Sequence, residues 1–278
     1  MKKLWAFSLL LMVKVGLAAG GAGVPLDHWD RSKANDLAAL QNGAKLFANY
    51  CIGCHAAGSM RWNRLRDLGL TQEQIETYLL PPGQRVGDLM TIAMAPADAQ
   101  RWLNKAPPDL SVITRARTSF DYAGVDYLYT FLRAYYRDSA SATGWNNWVF
   151  PNIGMPHVLW QRQGPREVTI ARVEHGAEDA KTLVRTQTVY DAQGHAQTHQ
   201  ETLSGRAATG MRVSVKPADV KQARQFDEEV GDLVAYLHYM TEPVRSQRQR
   251  WGIWVLLFIG VFAILAWRLN TLYWKDIK

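Results

Sequence analysis

Cys51-Ile52-Gly53-Cys54-His55 holds both cysteines of the 278-residue chain, and a histidine directly follows the second. Two thiols at this offset can add across the vinyl groups of a haem, and the neighbouring imidazole then falls under the iron as its proximal ligand. C-x-x-C-H is the pattern for that covalent attachment. The three-residue offset suits a tether on the first turn of a helix. Without haem, the cysteine pair would fit a redox dithiol or half a zinc site. A thioredoxin-like dithiol needs a βαβ setting, which the flanking pattern lacks. A structural zinc site needs four ligands, usually in two pairs, and there is no second cysteine pair. The reading is one covalently bound haem c.

The sixth position on the iron separates electron transfer from catalysis at an open site. Eight methionines are present. Met155, in Phe150-Pro-Asn-Ile-Gly-Met-Pro156, has the best context. Gly154 lets the backbone come close to a haem face, and Pro156 stiffens the chain after the ligand. Met94, in Ile92-Ala-Met-Ala-Pro96, is its rival. Met60 is too near His55 to reach the opposite face easily. Met90, Met211 and Met240 read as packing residues. His28, His157, His175, His195, His199 and His238 show no metal-site spacing and read as surface or packing residues.

The elements that position these groups follow from periodicity. Residues 1–22 open Met-Lys-Lys, continue apolar from Leu4 to Leu17 and end in small residues, the pattern of a secretory signal peptide. Trp251 to Trp267 is a run of seventeen uncharged residues, at the lower limit for a spanning helix. Trp251, Trp254, Trp267 and Trp274 rim it as an interfacial belt would. The expected division is a signal peptide at 1–22, an exported domain at 25–244, a transmembrane helix at 251–269 and a cytoplasmic tail at 270–278. Basic residues flank both sides of the span, so orientation rests on the signal peptide, which places the domain outside the inner membrane.

The net charge of +7 misleads. Of 32 Lys and Arg, three precede residue 23 and six follow Val244. The exported part keeps 23 basic residues beside 24 of the 25 acidic ones. It is near neutral, which argues against a nucleic-acid partner. Helices are expected over Asn35–Tyr50 with Asn35 or Asp36 as N-cap, Thr71–Leu80 behind a Thr71/Gln74 capping box, Tyr122–Tyr136, and Val220–Met240. Between about 165 and 215 the helical period vanishes. Val168–Val173, Leu183–Tyr190 and His195–Leu203 read as strands, with Asp191–Gly194 as a turn. The acidic groups Glu174/Glu178/Asp179 and Asp227/Glu228/Glu229 are candidates for steering a basic partner.

These residues resemble the cytochrome c1 family, the haem subunit of the quinol–cytochrome c oxidoreductase. The resemblance rests on Cys51–His55 with Met60-Arg-Trp-Asn-Arg-Leu65, Ala106-Pro-Pro-Asp-Leu-Ser111 with Arg115-Ala-Arg117, and Ile153-Gly-Met-Pro156. Glu242-Pro243 before a single anchor and Tyr273-Trp-Lys-Asp276 complete it. It implies a mainly α fold: a class I cytochrome c-like helical domain with a β-rich insertion and one C-terminal transmembrane helix. It implies haem bound by Cys51 and Cys54, with His55 and Met155 as axial ligands, Arg117 against a haem propionate and Tyr127 near the same edge. The implied partners are cytochrome b, the Rieske iron–sulfur protein as donor and a mobile or tethered cytochrome c as acceptor. The haem domain would lie on the periplasmic side. The alternative is a free-standing, membrane-tethered electron shuttle.

Overall fold

The computed structural model describes residues 24–103, 105–175, 182–203 and 208–276. The signal peptide expected at 1–22 lies outside them.

Two long helices cross to form the core. Helix α1 (Leu37–Tyr50) begins at Asp36, whose side chain accepts the Ala38 N–H at 3.0 Å, the usual way an acidic N-cap satisfies a free helix donor. Helix α7 (Val220–Thr241) begins at Asp219, which accepts from Lys221 and Gln222. Leu40, Ala44 and Phe47 of α1 pack against Phe226, Val230, Leu233 and Leu237 of α7. The crossing depends on Gly43. A Cβ there would lie 2.7 Å from Tyr236 Cβ and still closer to the Asp232 carbonyl oxygen. The chain before α1 is strapped across this pair. Trp29 Nε1 donates to the Gly231 carbonyl at 2.9 Å, and buried Asp126 accepts from Trp29 N at 2.8 Å and Arg31 Nη2 at 2.7 Å.

Shorter helices complete the body. α2 (Gln72–Tyr78) carries the full Thr71/Gln74 capping box, as the sequence predicts. It is followed by α3 (Pro96–Leu103), α4 (Ile113–Ala116), α5 (Gly124–Arg133) and α6 (Trp160–Gln163). α5 stops three residues before the predicted end, because the chain turns there into a strand. That strand, Tyr135–Arg137, pairs with Trp145–Asn147. Counting from the N-terminus, the strands are β1 (Ala57–Arg61), β2 (Leu89–Met90), β3 (Tyr135–Arg137) and β4 (Trp145–Asn147).

The insertion forms an antiparallel sheet of order β7-β6-β5-β8, from β5 (Arg166–His175), β6 (Leu183–Tyr190), β7 (Ala196–Leu203) and β8 (Gly210–Pro217). Its fourth strand was not foreseen. With two further strand pairs in the body, the chain is a mixed helical and sheet protein, so the expectation of a mainly α fold with a β-rich insertion and one C-terminal apolar helix holds only in part. Val168 and Ile170 attach the sheet to the body by packing on Ala134, Tyr136 and Trp148. Helix α8 (Arg245–Tyr273) is long and apolar enough to cross a membrane, and none of its apolar window is buried in the protein. Its 29 residues make a helix of about 44 Å at 1.5 Å per residue.

Candidate functional site

Cys51 is the C-cap of α1, its N–H bonded to the Phe47 carbonyl at 2.9 Å. The motif therefore lies in the turn that ends α1, and not on the first turn of a helix as its offset suggests. His55 N donates back to the Cys51 carbonyl at 2.9 Å and closes that turn. Both cysteines are free thiols. Burial pushes the Cys51 thiol up to about 12, while Cys54 is exposed.

The imidazole is oriented by a segment 53 residues away. His55 Nδ1 lies 2.8 Å from the Pro108 carbonyl oxygen. Donation from Nδ1 leaves the Nε2 lone pair for an electrophile, and such a partner on the far nitrogen is what holds a metal-binding imidazole in one tautomer. The Pro107-Pro108-Asp109-Leu110-Ser111 strap is fastened to the chain after the motif. Leu110 N donates to the Ala56 carbonyl at 2.8 Å, Gly58 N to Asp109 Oδ2 at 2.7 Å and Ser59 N to Ser111 Oγ at 2.9 Å. Burial lowers the His55 pKa against the opposing pull of Pro108 and Asp109, so the ring stays neutral and able to coordinate.

Met155 sits half-buried on a loop shaped by two buried asparagines. Asn147 Oδ1 accepts from Val149 N at 2.9 Å and Phe150 N at 3.0 Å; Asn146 Oδ1 accepts from Asn152 N at 2.9 Å. Asn152 adopts a left-handed φ of 59°, a conformation that asparagine tolerates better than most residues. Tyr135 Oη donates to the Met155 carbonyl at 3.3 Å, and His157 stacks on the Tyr135 ring at 4.5 Å and 7°. Asn146, Asn147, Tyr135 and His157 were not singled out as site residues by sequence. His157 was read only as surface or packing, and it is buried. The one available signal was Asn146-Asn147 between two tryptophans, a polar pair with no obvious reason to be buried.

Arg117 lies 5.6 Å over the Tyr127 ring, is exposed, and has no ion-pair partner among the described residues. Arg115 points elsewhere, pairing with Glu242 at 2.9 Å. Tyr122, Tyr127, Phe131, Tyr135 and His157 form a ring ladder along α5 with centroid steps of 5.7, 5.9, 5.8 and 4.5 Å. The ladder joins the Arg117 end of the site to the Met155 loop. Met94 is half-buried in the loop after β2. Met60, Met90 and Met240 are core residues, and Met90 Sδ accepts from Tyr236 Oη at 3.7 Å. The acidic group on α7 is not free to steer a partner: Asp227 pairs with Arg133, Glu228 with Lys33 and Glu229 with Arg162. Glu174 is exposed on β5, and Glu178 and Asp179 lie outside the described residues.

The Cytochrome C1 family matches residues 82–190. The chain is 36% identical over 273 residues to a Nitrosomonas europaea protein named ammonia monooxygenase gamma subunit, with 98% of this chain and 97% of that one covered. It is 35% identical over 280 residues to cytochrome c1 of Allochromatium vinosum, with both chains fully covered. It is 27% identical over 299 residues to cytochrome c1 of Rhodospirillum rubrum, covering 100% of this chain and 97% of that one. A haem-attachment motif in a helical body carried on one apolar helix defines a membrane-anchored electron-transfer protein. The chain belongs to the cytochrome c1 family, the haem-binding subunit of the quinol–cytochrome c oxidoreductase. Its members bind one covalent haem c. The donor set here suits that group: two free thiols, an imidazole with Nδ1 already committed, a thioether on a braced loop and a guanidinium with no ion-pair partner among the described residues.

Proposed function

We propose that Cys51 and Cys54 hold the haem by thioether bonds, that His55 and Met155 are its axial ligands, and that the chain relays one electron from a Rieske iron–sulfur protein to a mobile cytochrome c, beside cytochrome b. The observation that carries this reading is the His55–Pro108 contact, which presents Nε2 as a ligand next to the two thiols. The bound haem supplies a one-electron couple. The residues of the chain hold it and set its balance. His55 is kept neutral by burial, while the Pro108 carbonyl fixes which ring nitrogen carries the proton. Met155 offers a thioether, whose softness favours the reduced iron. Arg117, without an ion-pair partner among the described residues, stands at the other end of the aromatic ladder and is suited to a propionate, which guanidinium can grip through two parallel hydrogen bonds. Tyr127 supports it from beneath. We place the haem domain on the periplasmic side of the inner membrane, with residues 1–22 as a cleaved signal peptide.

Purification of the tagged full chain from membranes tests this. Copurified b-type haem and a Rieske electron-paramagnetic-resonance signal are expected. A lone covalent-haem band that still reduces cytochrome c would favour the tethered shuttle instead.

A further inference from the structure

Gln163 ends α6 and is the one fully buried residue of that helix. A buried glutamine amide brings both a donor and an acceptor that need partners. Its Nε2 donates to the Tyr135 carbonyl at 3.4 Å. Its Oε1 is left over, and so is the Nε2 of His157. The two residues are 4% and 3% exposed, and the His157 ring is a hydrogen-bond neighbour of the Gln163 side chain. Buried polar atoms are nearly always satisfied, so each orphan is the partner the other lacks. Burial, helped by the charges of Arg166 and Arg137, holds His157 neutral with a single ring proton. With that proton on Nε2, the imidazole donates to Gln163 Oε1.

These contacts close a loop through the Met155 segment. Met155 and His157 are two residues apart. The Met155 carbonyl accepts from Tyr135 Oη at 3.3 Å. The Tyr135 carbonyl accepts from Gln163, and Gln163 accepts from His157, whose ring lies on that of Tyr135 at 4.5 Å. Trp145 meets the imidazole edge-on at 4.8 Å and Phe226 at 6.3 Å, so the ring is walled on further sides. Arg166, at the start of β5, donates Nη2 to the carbonyls of Arg133 and Tyr135 and pins the end of α5 from which Tyr135 leaves. The backbone is thus gripped before and after the thioether by residues that leave the sulfur free.

We propose that Gln163 is a positioning residue for the sixth iron ligand: its amide ties His157 to the Tyr135 backbone and so sets where the Met155 thioether stands. The role rests on Met155 being that ligand. Gln163 acts through its two partners. Without it the thioether samples more positions, and its effective concentration at the iron falls. A weaker sulfur bond competes less well with an added ligand and favours the reduced iron less.

The experiment uses the haem-loaded, detergent-solubilised full chain. Imidazole is titrated into the ferric protein while the sulfur-to-iron charge-transfer band is followed, and midpoint potentials are measured. Gln163→Met keeps the side-chain shape and removes both hydrogen bonds. It should bind imidazole roughly 10-fold more tightly, the scale of one buried hydrogen bond, and lower the potential by up to one ~59 mV step. His157→Phe keeps the stack on Tyr135 and should show shifts of the same size. The double variant should show no more than either single one, as expected of two residues that share one link. Gly43→Ala, which strains the distant helix crossing, should lower stability and move neither readout. Should Gln163→Met fail to fold, Gln163→Asn, an amide too short to span both partners, gives the same readouts. Wild-type imidazole affinity and potential in the Gln163 variant, whatever its stability, overturn the proposal. Additive shifts in the double variant overturn the link to His157. A band that survives Met155→Leu overturns the ligand assignment and this role with it. A band lost in Met155→Leu, beside unchanged readouts in Gln163→Met, removes the role of Gln163 alone.

Discussion

Tyr135 holds Met155 by its backbone and leaves the thioether free: its hydroxyl donates to the Met155 carbonyl at 3.3 Å while its ring lies under His157. The bond is long, so its value is in placement more than in stability. Tyr135→Phe keeps the ring stack and removes only the donor. It should cost about 1 kcal/mol of fold stability and broaden the sulfur-to-iron charge-transfer band of the ferric protein without abolishing it. An unaltered band would mean that the stack alone sets the loop.

Met155→Leu removes the thioether itself. On the proposed ligation the ferric form should gain relative stability, and the midpoint potential should fall by several steps of ~59 mV, each a tenfold change for a one-electron couple. Met94→Leu should leave potential and band in place. Redox titration of both variants decides between them, and the reverse pattern would transfer the ligand to Met94.

Arg117 and Arg115 should separate cleanly. Arg115→Gln breaks a half-exposed pair with Glu242 and should cost under ~1 kcal/mol with no change in potential. Arg117→Gln removes a cation from the proposed propionate edge. Less positive charge favours ferric haem, so the potential should drop by roughly one ~59 mV step. Equal potentials for the two variants would sink the propionate role.

Gly43→Ala would push a methyl into the Asp232 carbonyl and toward Tyr236 Cβ. Backbone cannot yield as a flexible side chain can. Overpacking of this kind costs about 1–3 kcal/mol, readable as a lowered denaturant midpoint of the haem-loaded protein. Wild-type stability would mean that the helices separate at little cost.

Lys33 gives a pH signature. Its ammonium lies 2.7 Å from Asp232 and 2.8 Å from Glu228. Burial opposes its charge, but the two carboxylates outweigh burial and hold its pKa above the ordinary 10.5. A raised folded value means that the folded state keeps the proton longer than the unfolded one. The contribution is therefore complete below the unfolded value and is lost as pH rises through the folded one. Lys33→Met should cost about 1 kcal/mol at pH 8, and the gap from wild type should shrink only at pH above the ordinary 10.5, as the raised folded value is passed. A constant gap across that range would assign the loss to packing of the Lys33 stem on Gly231.

The helices were legible where local chemistry repeats: Thr71 and Gln74 form the capping box that their spacing announces, and Leu40, Ala44 and Phe47 share a face. Strand β8 was overlooked although Met211, Val213 and Val215 alternate with Arg212, Ser214 and Lys216. The alternation is short, Met211 and Val213 only partly bury against Val168 and Ile170, and no residue of the strand is fully buried. The Cys51–His55 motif was plain because its chemistry is contiguous. The Pro108 carbonyl was invisible because a backbone atom carries no residue-type signal. Asn146 and Asn147 were overlooked for a related reason: their work is to satisfy backbone N–H groups of a loop whose shape the sequence does not state.

Only Glu242-Pro243-Val244 separates the core helix α7 from the membrane helix α8. Three residues reach about 11 Å even when fully extended, and Glu242 is further tied to Arg115 and Arg248. So short a leash leaves the domain no room to wander from the bilayer surface in search of a partner. The travelling must be done by whatever delivers or collects the electron, and each encounter takes place at a fixed height above the membrane.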